Sequence, residues 1–342
     1  MFPLVVGLSN HSGGCLDRGS AQQGGTIARY LVTGGAGFIG SNIAGRLLDR
    51  GDEVVVFDNL STGFAYNVPP GAHMVDANIS QPEALELMPE GHFDAVLHLA
   101  AQSSGEISHE NPGLDLSSNA LGTLLLLDWC KRHGVPRFLH ASSMAVYGLT
   151  DQVPVRESQA LDPYSFYGIS KLASEQYVRH YMRSGLATTI FRMFNTYGPV
   201  QNMANMKQGM VSIYLTFLIR EQPILVKGSM DRFRDFIYIE DVVDAWLAAL
   251  DNPDTHGRVY NLASGRKTLV RELIPDLIRA WGLDPEIYPI EHGEGTPGDQ
   301  FGIYADINPI TRDTGWQPRV HLPEGLKRMA QWAKGLTQAQ LG

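Results

Sequence analysis

Thr33-Gly34-Gly35-Ala36-Gly37-Phe38-Ile39-Gly40 is the stretch that decides how this chain folds. It follows a short apolar run with strand character, Arg29 to Thr33, and opens an amphipathic stretch from Ser41 to Asp49. Strand, glycine turn and helix in that order lift a glycine pattern above chance. In such a unit Gly34 takes the dihedrals of the tight turn, Gly37 lets the backbone approach a phosphate, and Gly40 lets helix pack on sheet. Phe38 and Ile39 stand on the first helical turn, whose N–H groups can bind a pyrophosphate. The next apolar run, Glu53 to Phe57, ends at Asp58, about twenty residues on, where a carboxylate holds the adenosine ribose hydroxyls. A carboxylate there repels a 2′-phosphate, so the pattern points to NAD rather than NADP. The alternative, an acidic loop residue after an ordinary strand, does not explain the complete unit.

A second stretch, Tyr167-Gly168-Ile169-Ser170-Lys171, supplies chemistry. Tyr167 and Lys171 are four apart and share one face of a helix. A nearby ammonium favours phenolate and is expected to lower the tyrosine pKa, as is a positive nicotinamide ring. A phenol tuned in this way serves as a general base. Upstream, Phe138 to Ala141 reads as a strand followed by Ser142-Ser143-Met144-Ala145-Val146-Tyr147-Gly148, and a serine at that strand end can hydrogen-bond the same substrate oxygen. Tyr-x-x-x-Lys alone occurs in many helices. Its meaning comes from the glycine loop and the serine strand end together, which describe a site moving hydrides and protons on an alcohol or ketone.

With these motifs in place the sequence resembles the extended short-chain dehydrogenases, in the branch of nucleotide-sugar epimerases and dehydratases. The resemblance runs from about Arg29 to about Leu326. It adds Asp58 to Gly63, His98-Leu99-Ala100-Ala101, Asn119 with Gly122-Thr123, Arg192 to Pro199, Arg234 to Asp241 and Pro297-Gly298-Asp299 to the motifs above. It implies Ser143, Tyr167 and Lys171 as catalytic residues. Asn59, Asn78, Ile79, Leu99, Ala100, Ala101 and Asn119 then join the glycine loop, Asp58, Tyr167 and Lys171 in holding NAD. Asn195, Arg234, Lys207, Met210, Val211, Asp299 and Ser143 are implied for the nucleotide-sugar, with Ile303 as gatekeeper of the sugar pocket. Family members also commonly dimerise through two helices, here Asn119–His133 and Tyr164–Ser184, so a homodimer is expected.

The shared first step of this family is oxidation of a sugar hydroxyl to a ketone, and the branches differ in the fate of that ketone. Dehydratases place Asp-Glu after the serine and decarboxylases a Glu at the second position, whereas this chain has Met144-Ala145. That resembles the 4-epimerases and implies C4 epimerisation of a UDP-hexose. A dehydratase, decarboxylase or reductase, or a non-catalytic dinucleotide-binding protein, are the alternatives. Three departures stand out: Thr296 where the family often has Arg, Asn78-Ile79 where Asp-Ile is common near the adenine, and Ile303 where some members carry a large Tyr.

The rest of the chain is consistent with an ordinary globular enzyme. Charged residues make up 18% of 342 and apolar ones 44%, outside the range of disordered chains. A net charge of −9 offers no basic footprint for nucleic acid or anionic membrane, so a diphosphate must be held by a few local cations and backbone amides. No apolar run approaches the roughly 20 residues of a membrane helix. The two cysteines, Cys15 and Cys130, are read as free thiols, which suits the cytoplasm. No credible metal-ligand spacing is present. Residues 1–28, apolar from Met1 to Leu8 and rich in Gly, Ser and Gln from Asn10 to Gly25, are read as a flexible extension or the product of an upstream start codon. From Arg29 to Phe194, strand-like runs (Tyr30–Thr33, Glu53–Phe57, His73–Val75, Ala95–Leu99, Phe138–Ala141, Thr188–Phe194) alternate with helix-like stretches. This is the rhythm of an α/β, doubly wound parallel sheet of Rossmann type. Arg234–Leu250 and Arg258–Ala263 read as returns to the sheet. The expected organisation is therefore an NAD-binding domain of residues 29–195 plus 234–264 and a smaller mixed α/β substrate lobe of residues 196–233 plus 265–336.

Overall fold

The structure is a computed structural model that describes residues 27–295, 300–337 and 340. Eleven strands organise the part of the molecule that carries the motifs. They are β1 (Arg29–Thr33), β2 (Glu53–Asp58), β3 (His73–Asp76), β4 (Ala95–His98), β5 (Arg137–Ser143) and β6 (Ala187–Met193), then β7 (Asn195–Tyr197), β8 (Ile224–Lys227), β9 (Phe233–Arg234), β10 (Phe236–Tyr238) and β11 (Arg258–Leu262). Seven of them form one sheet in the order β11-β6-β5-β4-β1-β2-β3, every neighbouring pair parallel. The chain runs outward from β1 to β3, returns to β4 on the other side of β1, and runs outward again. That reversal opens a crevice beyond the carboxyl ends of β1 and β4, the place where doubly wound sheets bind ligands.

Both faces of the sheet are covered, which is why its strands read as continuous apolar runs. Alternate residues serve alternate faces. Val32, Val56 and Leu97 pack with Ile43 and Leu47 of helix α1 (Phe38–Asp49) and with Trp246, whereas Leu31, Val55 and Val96 pack with Leu126, Trp129 and Val178. Two short helices, α2 (Gly105–Glu110) and α3 (Pro112–Asp115), follow β4. The expected helix Asn119–His133 is two pieces, a π-helical segment Leu116–Leu121 leading into α4 (Gly122–Arg132). The wide turn brings Asn119 inward, where Thr123 Oγ1 donates to its carbonyl at 2.6 Å. The helix α5 (Phe166–Arg183) starts two residues later than expected because Ser165 caps it, accepting from the Gly168 amide at 3.0 Å. No helix among the described residues is long and apolar enough to cross a membrane.

One expected return to the sheet does not occur. Arg258–Leu262 does join it beside β6, but the Arg234 strand does not. Instead β10 pairs with β7 in a separate two-stranded sheet. The edge of the main sheet is already taken by β11. Asp235, between β9 and β10, is also fixed elsewhere: its carboxylate accepts from the amides of Ser264, Gly265 and Ala305 and from Ser264 Oγ. After β10 the helix α7 (Ile239–Leu250) packs against α1, and α6 (Met210–Ile219) precedes it in the chain.

Candidate active site

The glycine loop closes the amino-terminal half of the crevice. Gly34 has φ +71°, and a Cβ on it would lie 2.7 Å from the Ala100 amide nitrogen; one on Gly40 would lie 2.2 Å from the Gly34 carbonyl oxygen. Only glycine permits this double approach of the loop to the end of β4 and of α1 to the loop. Asp58 holds the loop from below, accepting from the Ala36 amide at 3.0 Å and the Leu60 amide at 2.9 Å. Burial raises its pKa and those two amides draw it back, so the carboxylate is tied to the backbone it braces. Gly34, Gly37, Phe38, Ile39, Gly40, Asp58, Asn59, Asn78, Ile79, Leu99, Ala100 and Ala101 all line one cleft of about 1370 Å³. The first-turn amides of α1 lack helical acceptors and lie along this wall. The cradle therefore fits a dinucleotide pyrophosphate.

Asn119 lies behind that wall rather than on it. Fully buried, it accepts from the Gln102 amide at 2.8 Å and donates to the Gln102 carbonyl at 3.0 Å and Ser170 Oγ at 2.9 Å. It joins the segment after Ala101 to α5 and reaches the cleft only through them.

Tyr167, Lys171 and Ser143 meet at the cleft floor. Tyr167 is hydrogen-bonded to Ser143, and Ser143 Oγ accepts from the Ala145 amide at 3.2 Å. Lys171 Nζ donates to the Ala141 carbonyl at 2.7 Å. The expectation of a lowered tyrosine pKa is not met in this state. Loss of water pushes Tyr167 up to about 12, and the bond with Ser143 opposes only part of that rise, with Asp115 adding to it. Burial also lowers Lys171 to about 8, against the pull of Glu175 and Asp115. The physical reason is that desolvation disfavours the charged form of both groups. His98 is structural, as its position at a strand end suggests: its ring nitrogens lie 2.7 Å from Thr33 Oγ1 and 2.9 Å from Thr123 Oγ1, and burial, then Lys171, push its pKa down to about 3.

The other half of the cleft is lined by residues from β7 onward. Asn195 Nδ2 donates to the Asp235 carbonyl at 3.1 Å and lies 3.7 Å from Met144 Sδ. Arg234 is buried in the wall, donating to the carbonyls of Phe233 at 2.8 Å and Gln300 at 2.7 Å. Met210 and Val211 line the cleft from the start of α6. Lys207 also lines it, and is held by Glu110 at 2.7 and 2.9 Å and by Glu106 at 3.6 Å. Around it Ser104 Oγ donates to the Lys207 carbonyl at 2.9 Å and Gln208 Nε2 to Ser103 Oγ at 2.7 Å, while Asn202 Nδ2 reaches the Thr62 carbonyl at 3.4 Å. The segment 201–209 thus bridges the two walls of the cleft. Glu106 and Glu110 stand on α2.

Ile303 is not brought to the cleft. It is fully buried in a cluster with Val146, Phe194 and Ala305, its amide directed to the Phe233 carbonyl at 3.4 Å. An apolar side chain on a strand-like segment goes to the nearest core. Asp299, with Thr296, Pro297 and Gly298, lies outside the described residues, as does most of the 1–28 extension. Lys227, Arg232 and Gln300 line the cleft without having been singled out from the sequence. The two cations flank the turn Gly228–Asp231, and their spacing to Arg234 is the signal that could have found them.

A cleft of this size exceeds the roughly 300–1,000 Å³ of a single small-molecule pocket. It pairs a dinucleotide cradle with a tyrosine–lysine–serine centre and a cation-bearing wall. Residues 30–263 match the family model described as the NAD dependent epimerase/dehydratase family. The chain belongs to that family. It is similar to the UDP-glucose 4-epimerase of Thermotoga maritima, solved with UDP-glucose, at 34% identity and TM-score 0.85 over 90% of this chain and 98% of that one. The UDP-glucose 4-epimerase of Thermus thermophilus, solved with NAD, matches at 32% identity and TM-score 0.81 over 90% and 100% of the two chains. UDP-glucuronic acid decarboxylase 1 of Arabidopsis thaliana is 32% identical over 88% of this chain and 68% of its own. Near-equal identities to relatives with different reactions leave the choice of reaction to the residues of the site.

Proposed function

We propose that this family member is a UDP-hexose 4-epimerase working through a 4-keto intermediate. Met144 and Ala145, directly after Ser143, carry the reading: both line the cleft and neither can move a proton. In the resemblance, dehydratases typically carry Asp-Glu there and decarboxylases usually a Glu at the second position, whereas epimerisation needs only one oxidation and its reversal. Tyr167, as the phenolate that the Lys171 ammonium and a positive nicotinamide ring would favour against the burial that raises its pKa, takes the proton from the C4 hydroxyl, and Ser143 holds the same oxygen. Lys171, with its pKa near 8, is mostly protonated at neutral pH and supplies positive charge to the centre. The glycine loop and Asp58 would hold NAD, which would supply the reversible hydride transfer at C4. The apolar Met144 wall leaves a keto sugar few hydrogen bonds to break as it turns to present its other face.

Arg234 and Asn195, at the edges of the NAD-binding domain, suit the diphosphate, and Lys207, Met210 and Val211, within the lobe of residues 196–233 plus 265–336, suit the nucleoside end. A homodimer belongs to the same proposal. Leu121 near the start of α4, with Ile169 and Tyr177 on α5, stay exposed and would be covered by a second copy; light scattering of the purified protein tests it.

Proton NMR of the protein incubated separately with UDP-glucose, UDP-N-acetylglucosamine and UDP-glucuronate tests the reaction. Conversion of any one to its C4 epimer without added NAD is the expected result. Release of a 4-keto-6-deoxy sugar or of carbon dioxide would replace the proposed reaction with another branch of the family.

A further inference from the structure

Beneath the reaction centre lies a charged pair that no step of the proposed reaction uses. Glu175 follows Lys171 by four residues on α5 and is fully buried. Its Oε1 accepts from Ser142 Oγ at 2.6 Å and from Arg192 Nε at 3.0 Å, and its Oε2 from Arg192 Nη2 at 3.0 Å. Ser142 immediately precedes Ser143 on β5, and Arg192 stands opposite Ser142 in the register with β6. The other arm of Arg192 donates to the Tyr147 hydroxyl at 3.0 Å and the Glu157 carbonyl at 3.1 Å. One carboxylate thus joins the helix bearing Tyr167 and Lys171, the strand bearing Ser143 and, through Arg192, the turn after that strand.

We propose that Glu175 is a positioning residue of the reaction centre: through Ser142 and Arg192 it fixes α5 against β5, and its negative charge steadies the Lys171 ammonium. This deepens the epimerase reading and rests on Tyr167 and Lys171 acting as described there. A buried ion pair is by itself weak grounds for stability, because desolvation offsets its Coulomb gain. Its placement argues for more. Lys171 and Glu175 share a helix face, and Lys171 binds Ala141 while Glu175 binds Ser142, so both clamp the same strand end. Among the groups acting on Lys171, Glu175 is the strongest attraction and Asp115 of α3 the next. His98 of β4 and His140 of β5 pack nearby, both kept neutral by burial, and Tyr167 stands one turn back on α5. On the far side of Glu175 are Arg192 of β6 and, at 3.8 Å, Arg179 of α5.

An adjacent anion favours the charged lysine, so removing it lets Lys171 release its proton at lower pH. Glu175→Gln keeps the shape and removes the charge. With only seven lysines in the chain, carbon-13 labelling at Cε lets Lys171 be titrated by NMR, its signal assigned with Lys171→Met. The expected result is a Lys171 midpoint lowered by on the order of one pH unit, with the alkaline limb of kcat moving alongside it and KM little changed. An unmoved midpoint accompanied only by a lower melting temperature overturns the proposal, since a purely structural residue would do that. If Glu175→Gln does not fold, the double variant Glu175→Gln/Arg192→Met removes both buried charges and is expected to fold. Its Lys171 midpoint is expected to fall by less, because the Arg192 cation leaves with the carboxylate, and a midpoint that stays or rises overturns the proposal. The NMR titration needs no turnover. A shifted midpoint in a protein that epimerises none of the three UDP-sugars would support Glu175 while refuting the assigned reaction.

Discussion

Gly34→Ala tests whether the dinucleotide cradle is shaped by contact between the glycine loop and the end of β4. Gly34 has φ +71°, a conformation that costs an L-residue about 1–2 kcal/mol. Its new Cβ would also lie 2.7 Å from the Ala100 amide nitrogen and 2.9 Å from both Ala100 Cα and the Leu99 carbonyl carbon. These are backbone atoms of the cleft wall and cannot swing aside, so an overpacking cost of about 1–3 kcal/mol is added. The total is about 2–5 kcal/mol. Gly134 supplies the control: its φ is +66°, but nothing lies within 4 Å of a Cβ built there. Gly134→Ala should lose only the dihedral cost, about 1–2 kcal/mol. Urea unfolding of the two variants in parallel, read by tryptophan fluorescence, isolates the difference. The amount of NAD retained through purification provides the second readout, and it should fall in Gly34→Ala and stay at the wild-type level in Gly134→Ala. Equal stability losses in the two variants, with NAD retained in both, would refute the reasoning that this contact shapes the cradle.

Three further outcomes can be checked with purified protein. Tyr167→Phe should lower turnover by about 10²- to 10⁴-fold while keeping bound NAD, measured by coupled assay and by absorbance of an acid extract; near-normal turnover would move the proton transfer to another group. Ile303→Ala should cost about 2–5 kcal/mol of stability, because the residue is fully buried, and should leave the relative rates on plain and N-acetylated UDP-hexoses unchanged. A shift in that ratio would restore the gatekeeper role that its position argues against. Lys207→Ala should speed release of nucleotide-sugar in stopped-flow measurements and remove the salt dependence of that rate, since exposed ion pairs are screened; a rate equally salt-sensitive in the variant would mean that the bridge to Glu110 does not control release.

The parts of the site written into local sequence were legible before the fold. Glycines at Gly34, Gly37 and Gly40, an acidic strand end at Asp58, and the four-residue spacing of Tyr167 and Lys171 each announce themselves through backbone demand or helical geometry. So do β1 and β2, because a sheet covered on both faces leaves uninterrupted apolar runs. What depends on distant neighbours was not legible. The Tyr167 and Lys171 pKa values are governed by burial, which spacing does not report. The strand after Arg234 was misplaced because the competition between β10 and β11 for one sheet edge is settled by Asp235 binding Ser264, Gly265 and Ala305, residues far along the chain. The burial of Ile303 is hidden for a similar reason: an isoleucine is equally at home in a pocket wall or a core. Glu175 and Arg192 are 17 residues apart in sequence, and only the packing of α5 on β5 and β6 reveals them as a pair.

The bridge formed by residues 201–209 has a consequence for the cell. Tied to Thr62 on one wall and to Ser103, Ser104 and Glu110 on the other, it spans the crevice in which a dinucleotide would lie. A cofactor lodged there trades places with the surrounding pool only as often as several bonds give way together. The proposed epimerisation would restore the nicotinamide it started with, so nothing in such a turnover would require an exchange. The protein would then run at a pace set by sugar supply and stay insulated from swings in the ratio of oxidised to reduced nicotinamide around it.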